Sequence, residues 1–156
     1  MTDSAVPKER VAYLLDNTEW GKELTWEEVE IMSSYLSLHE YKEGEYIFNE
    51  GDSGEYMGFL VEGKISILKE TDELMEKLVL TLPEGTHFGE MSIIDGERRS
   101  AAAFAQTNVV LLALSKGKFD ELIQVYPYLG IKILRKIAKI LSRRLRQTTG
   151  KMVKML

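Results

Sequence analysis

The chain has 156 residues, of which 44% are hydrophobic and 29% are charged. This length predicts one domain with a core of its own, and the composition is that of an ordinary globular protein. Cysteine is absent, which excludes disulfides, thiolate catalysis and cysteine metal sites. Because no apolar run is long enough to span a membrane and no secretory signal opens the chain, we expect a cytoplasmic protein without a membrane partner.

The net charge of −5 is distributed unevenly along the chain. Up to Glu121, eleven basic residues stand against all 25 acidic ones, and beyond it there are nine basic residues and no acidic one. These nine are Lys132, Arg135, Lys136, Lys139, Arg143, Arg144, Arg146, Lys151 and Lys154. An acidic body is thus followed by a basic tail. We favour a solvated face for the tail; the alternative is a nucleic-acid contact with steep salt dependence.

The first two zones of the chain differ in their predicted structure. Residues 8 to 35 are predicted to be helical, and Thr25 with Glu28 forms a capping box that predicts a helix from Trp26. Residues 36 to 114 are predicted to form short strands, because apolar and polar residues alternate and glycine or proline stands at most of the turns. We therefore expect a mainly β fold with flanking helices, a sandwich or jelly roll.

The C-terminal zone is predicted to be helical again. One helix begins over residues 116 to 125, and Pro127 suits the first turn of another that runs to about residue 149. A heptad seam runs along this second helix through Leu134, Ala138, Leu141, Leu145, Thr148, Met152 and Met155. A second apolar edge consists of Ile133, Ile137 and Ile140. Two edges predict two neighbours, the chain's own β structure and a second copy; the alternative is one broad stripe facing the β structure alone.

Residues 88–101, FGEMSIIDGERRSA, are the most informative segment. The Glu90 carboxylate can accept hydrogen bonds from sugar hydroxyls, and the Arg99 guanidinium suits a phosphate oxygen. About one and a half helical turns fit between them, and the first N–H groups of such a turn, near Gly89, attract an anion. The turn signal Asp95-Gly96 brings Arg99 back to the same pocket. The alternative is a surface helix and turn with a weak Glu–Arg ion pair.

This segment resembles the phosphate-binding cassette of cyclic nucleotide-binding domains, in which Phe-Gly-Glu-Leu/Met-Ser/Ala precedes a short spacer and Arg-Ser/Thr/Ala-Ala. Every position of that pattern is met, and the glycine-punctuated stretches 41–48, 50–54 and 57–65 are similar to strands of the same barrel. The resemblance covers about residues 35 to 149. It implies a double-stranded β-helix (jelly-roll) barrel within one domain, residues 1–156, with N-terminal helices over 8–35, the barrel over 36–114 and C-terminal helices over 116–150.

The resemblance also implies a ligand and its contacts. Glu90 would accept the ribose 2′-hydroxyl and Arg99 would pair with the cyclic phosphate. The rest of the phosphate cage would come from Gly89, Met91, Ser92, Ser100 and Ala101. In transcription factors resembling catabolite activator protein, the matching positions imply an apolar wall of Val79, Leu82 and Phe88 and adenine contacts from Thr148 and Thr149. We therefore expect cyclic AMP as the ligand, with cyclic GMP possible.

The expected output is regulatory. Those transcription factors dimerise through the C-terminal helix and continue into a helix-turn-helix domain, whereas seven residues follow Thr149 here. We expect a stand-alone sensor that forms a homodimer through this helix and acts on an unidentified effector protein. An enzyme is not expected, because no nucleophile–base pair, carboxylate pair or metal cluster is evident, and His39 and His87 suit packing or surface roles. The alternative is a barrel that binds no nucleotide and serves as a protein-interaction scaffold.

Overall fold

A computed structural model of the chain describes residues 2–3, 6–73 and 75–155. The chain divides into two compact units, residues 1–120 and residues 121–156. The first unit holds the N-terminal helices and the strands of the described residues, and the second unit is helical.

The N-terminal helical zone is confirmed. It contains helix α1 (Lys8–Asp16), a 3-10 turn (Gly21–Glu23) and helix α2 (Trp26–Ser33). The hydroxyl of Thr25 accepts from the Glu28 N–H at 3.1 Å, and the Glu28 carboxylate accepts from the Thr25 N–H at 2.8 Å. The predicted capping box is therefore present, and it fixes the residue at which α2 begins.

The strands form two antiparallel sheets. They are β1 (Thr2–Asp3), β2 (Leu36–Tyr41), β3 (Tyr46–Phe48), β4 (Tyr56–Glu62), β5 (Ile65–Glu70), β6 (Glu76–Leu82), β7 (His87–Phe88), β8 (Ala102–Ala105) and β9 (Val109–Ser115). One sheet has the order β1-β2-β9-β4-β7 and the other the order β3-β8-β5-β6. Strand β1 lies outside the predicted strand zone and pairs with β2. The β architecture predicted from the glycine-punctuated strands is thus confirmed as a jelly roll.

The core of the barrel is built from both sheets. It contains Leu60 and Leu111 from the first sheet, Ile65 and Ala103 from the second, and Phe88 from β7. Because small side chains such as Ala103 stand among large ones, the two sheets can pack closely around the aromatic ring of Phe88.

A six-residue helix, α3 (Glu90–Asp95), lies between β7 and β8. Glycines in the left-handed conformation bound it on both sides, Gly89 at φ 73° and Gly96 at φ 70°. The Gly96 N–H donates to the Ser92 carbonyl at 2.9 Å, which closes the last turn. The predicted short helix and the turn at Asp95-Gly96 are therefore confirmed.

Helix α4 (Lys116–Val125) spans the division between the units, and helix α5 (Pro127–Met155) follows it. The helix start at Pro127 is confirmed, but the predicted end near residue 149 is wrong. A glycine inside a helix costs only about 1 kcal/mol relative to alanine, so Gly150 does not stop α5. Within the described residues, no helix has the length and apolar character needed to cross a membrane.

Candidate functional site

Arg99 is buried, with 5% of its surface exposed. Its Nη1 donates to the Ser92 hydroxyl at 2.9 Å and its Nη2 donates to the Tyr56 carbonyl at 2.7 Å. The guanidinium carbon lies 4.2 Å from the ring centroid of Phe48 and 4.6 Å from that of Tyr56. Arginine is rarely buried unless it is paired, and here two hydrogen bonds and two aromatic rings fix its position.

Part of the hydrogen-bonding capacity of Arg99 is unused. Its Nε is buried and has no hydrogen-bond partner among the residues that the structure describes. Burial lowers the pKa of the guanidinium, whereas Tyr56 and Asp52 act in the opposite direction. Since a guanidinium stays protonated in proteins, a buried positive charge with a spare donor results, and such a group suits an anion.

The loop over residues 49–54 holds the backbone of Arg99. The Arg99 N–H donates to the Asp52 carbonyl and the Gly51 N–H donates to the Arg99 carbonyl, both at 2.8 Å. A Cβ at Gly54 would lie 2.7 Å from the Ser92 hydroxyl oxygen. Gly54 therefore lets this loop approach the arginine and its partner closely.

Gly89 satisfies two requirements at once. Its positive φ suits glycine, and a Cβ there would collide with Nη1 of Arg99 and lie 3.1 Å from the Tyr56 carbonyl oxygen. Because Gly89 has no side chain, another group can approach its backbone closely. In this structure Arg99 makes that close approach.

Glu90 is the first residue of α3 and is 2% exposed. Its Oε2 lies 3.8 Å from Nε2 of His87. Since both Glu90 and Arg99 are buried, the alternative of a surface helix with an exposed ion pair does not hold. Instead, two ionisable side chains are buried: Glu90 at the start of α3 and Arg99 in the segment that follows α3.

The other predicted cage residues differ in their exposure. Ser92 is buried, and its N–H donates to the Gly89 carbonyl at 3.0 Å, so Ser92 contributes to the site by holding Arg99 with its hydroxyl. Met91 and Ser100 are exposed and Ala101 is half-buried. The Ser100 carbonyl accepts a hydrogen bond from the ammonium group of Lys69.

The predicted base contacts belong to different units of the chain, three residues to the first and two to the second. Phe88 is a core residue, Leu82 packs against that core, and the side chain of Val79 is exposed. Thr148 and Thr149 are exposed on α5, in the second unit, where the Thr148 hydroxyl donates to the Arg144 carbonyl at 2.9 Å. The structure therefore brings together Phe88, Gly89, Glu90, Ser92 and Arg99 within the first unit.

Sequence reasoning missed the aromatic partners of Arg99. Phe48 and Tyr56 flank the 49–54 loop, and their spacing alone does not show that they converge on one guanidinium. The sequence could have indicated such partners only through chemistry, because an arginine in an apolar setting needs aromatic faces or hydrogen-bond acceptors around it. Burial raises the pKa of the Tyr56 phenol, so this ring is neutral where it contacts the cation.

Comparison with known proteins places this site in a family. The model described as "Cyclic nucleotide-binding domain" matches residues 38–126, which include the whole segment 88–101. The chain belongs to this family. The match begins in β2 and ends after α4, so it covers the cyclic nucleotide-binding barrel and not α5 with its two threonines.

Individual relatives agree with that assignment. The Cyclic AMP receptor protein of Thermus thermophilus is 34% identical over 121 residues, covering 78% of this chain and 54% of the relative. This chain therefore spans about half the length of that curated relative. The regulatory subunit of a cAMP-independent protein kinase A from Trypanosoma brucei aligns with a TM-score of 0.68 at 25% identity, over 85% of this chain and 47% of that one.

A cyclic nucleotide-binding domain from Methylobacillus flagellatus shares the fold, with a TM-score of 0.78 at 24% identity over 96% of this chain and 84% of that one. The chain is thus a cyclic nucleotide-binding domain related to cyclic AMP receptor proteins and to protein kinase A regulatory subunits.

Proposed function

We propose that this chain is a regulatory module that binds a cyclic mononucleotide without changing it chemically, with cyclic AMP preferred over cyclic GMP. The family assignment and the relative named as a cyclic AMP receptor protein support this proposal. One observation carries it: Arg99 is buried beside the start of α3 as a fixed cation with an unused donor. A site that bound no anion would leave this buried donor unsatisfied, which costs free energy.

The cyclic phosphate binds at Arg99 in this proposal. The guanidinium is already oriented by Ser92, the Tyr56 carbonyl and two aromatic rings, so binding a phosphate orders few additional groups. Gly89, Met91, Ser100 and Ala101 line the cage with backbone groups, and Ser92 holds the arginine. The ribose 2′-hydroxyl donates to Glu90, whose carboxylate is an acceptor only.

The base lies against Val79, Leu82 and Phe88 in this proposal, and Thr148 and Thr149 supply hydroxyls that donate and accept at its polar edge. Support comes from the exposure of Val79, which is 57%, and from the exposed positions of both threonines on α5.

We propose that α5 relays occupancy and joins two copies of the chain. The heptad seam of α5 is exposed toward its C-terminal end, where Leu145 is 67% and Met152 is 63% exposed. An unburied apolar seam suits a second copy of the same helix. A ligand that favours one position of the helix then shifts the population toward it, and an effector protein detects the change.

Isothermal titration calorimetry of the full chain with cyclic AMP and cyclic GMP tests the phosphate contact. Replacing Arg99 by lysine keeps the charge and removes the planar fork, so we expect the affinity for both nucleotides to fall about tenfold to hundredfold. Arg98→Lys is the matched control because Arg98 is exposed on the neighbouring position. We expect that variant to bind within about twofold of the wild type.

Thermal melting of each variant without nucleotide shows whether it is folded. A folded Arg99→Lys protein that binds as tightly as the wild type would contradict the assigned phosphate contact. If millimolar cyclic nucleotide fails to raise the melting temperature of the wild type, the scaffold alternative is favoured.

A further inference from the structure

Trp20, which is buried, and His87, which is partly buried, form a pair beside Glu90. Trp20 is 1% exposed, and its Nε1 donates to Nδ1 of His87 at 2.9 Å. The two rings meet edge to face with centroids 5.6 Å apart, and the ring centroid of Phe59 lies 5.4 Å from that of Trp20. The Glu19 N–H also donates to the Gly85 carbonyl at 3.2 Å, which holds the N-terminal segment next to the β6–β7 loop.

The pair determines where the proton of His87 lies. The indole N–H is a donor only, so Nδ1 of His87 must accept and carries no proton. A neutral imidazole with an accepting Nδ1 carries its proton on Nε2. Trp20 therefore selects the Nε2–H form of His87.

The protonated nitrogen faces the Glu90 carboxylate. Nε2 of His87 lies 3.8 Å from Oε2 of Glu90, and the two side chains are 12% and 2% exposed. Little water screens the positive end of the N–H dipole at this burial, so it favours one orientation of the carboxylate.

We propose that His87 is a positioning residue for Glu90, with Trp20 fixing its tautomer, and that together they determine the preference for a ribose over a deoxyribose. This inference rests on the proposed function, since Glu90 is the group that receives the 2′-hydroxyl there. The contribution of His87 to affinity then depends on that hydroxyl. Removing the hydroxyl from the ligand removes the effect of changing His87.

A ligand pair tests this dependence on the full chain. Cyclic AMP and 2′-deoxy cyclic AMP are titrated into the wild type, His87→Phe, His87→Gln and the control His39→Gln. His87→Phe keeps a ring and loses both nitrogens. We expect its affinity for cyclic AMP to fall about tenfold and its affinity for 2′-deoxy cyclic AMP to fall less than about twofold. His87→Gln offers an amide N–H and restores most of the ribose preference. The side chain of His39 forms a hydrogen bond with that of Ser37 on β2. We expect the His39→Gln variant to bind both ligands with the affinities of the wild type.

The outcomes separate this inference from the proposed function. If the wild type binds neither ligand, the proposed function is overturned and the inference falls with it. If the wild type binds but His87→Phe weakens both ligands equally, or neither, the inference alone is overturned.

Nitrogen-15 shifts of the imidazole give a second test that needs no ligand and no variant at His87. We expect the wild type near neutral pH to show the Nε2–H form and Trp20→Phe to lose that preference. The opposite tautomer in the wild type would overturn the inference.

Discussion

Gly58 determines where the ring of Phe88 sits beside the aromatic partners of Arg99. A Cβ at Gly58 would collide with the ring of Phe88, which packs against this position of β4. The ring centroid of Phe88 lies 6.0 Å from that of Phe48 and 6.4 Å from that of Tyr56, the two rings that contact Arg99. A glycine inside a strand thus sets the position of the Phe88 ring, which lies next to the two aromatic rings that contact the Arg99 guanidinium.

Gly58→Ala is expected to lower the free energy of unfolding by about 1 to 3 kcal/mol, because a methyl group in this packed position forces Phe88 to move. Urea denaturation measures the change. Gly117→Ala is the matched control, since a Cβ there has nothing within 4 Å and the residue lies in α4. We expect the control to be as stable as the wild type or up to about 1 kcal/mol more stable. Equal destabilisation of both variants would contradict the packing argument.

The elements that sequence predicts best here are those with local signals. The capping box of α2 and the glycines that bound α3 each act within a few residues, so the chain itself shows them. The pairing of β1 with β2, the convergence of Phe48 and Tyr56 on Arg99 and the bond between Trp20 and His87 join residues distant in sequence. Such contacts follow from the closed barrel, and no periodicity in one segment reveals them.

The capping box gives a prediction at the scale of one helix. Thr25→Ala removes the acceptor for the Glu28 N–H, and we expect the free energy of unfolding to fall by about 1 kcal/mol. The control Ser142→Ala removes an exposed hydroxyl from the middle of α5, and we expect it to change the free energy of unfolding by less than about 0.5 kcal/mol. The same denaturation series measures both. If Thr25→Ala leaves the free energy of unfolding unchanged, the stability of α2 does not depend on its cap.

Charge is divided unevenly between the two parts of the chain. Residues 121–156 carry nine basic residues and one acidic residue, whereas residues 1–120 carry eleven and 24. Two copies of α5 that meet along the heptad seam would bring like charges together, so apolar contact must offset their repulsion. Added salt weakens that repulsion, because the Debye length falls as ionic strength rises.

Sedimentation velocity over a concentration series tests the seam. We expect a dimer that becomes tighter as salt is raised, and Met152→Lys is expected to raise its dissociation constant about tenfold or more. Met75→Lys is the matched control, because Met75 precedes β6 and is also 63% exposed. Identical behaviour of the two variants would exclude the seam as the dimer interface.

The two left-handed glycines around α3 also constrain the length of that helix. Successive residues are turned by about 100° around a helix axis, so buried Ser92, Ile93 and Glu90 occupy an arc of about 160° of the helix surface, while exposed Met91 and Ile94 lie outside that arc. Because Gly89 and Gly96 fix both ends, one residue inserted between them would rotate the carboxylate out of its burial. Substitutions at Met91 or Ile94 leave that alignment intact. The segment is therefore more tolerant of changes in composition than of changes in residue number.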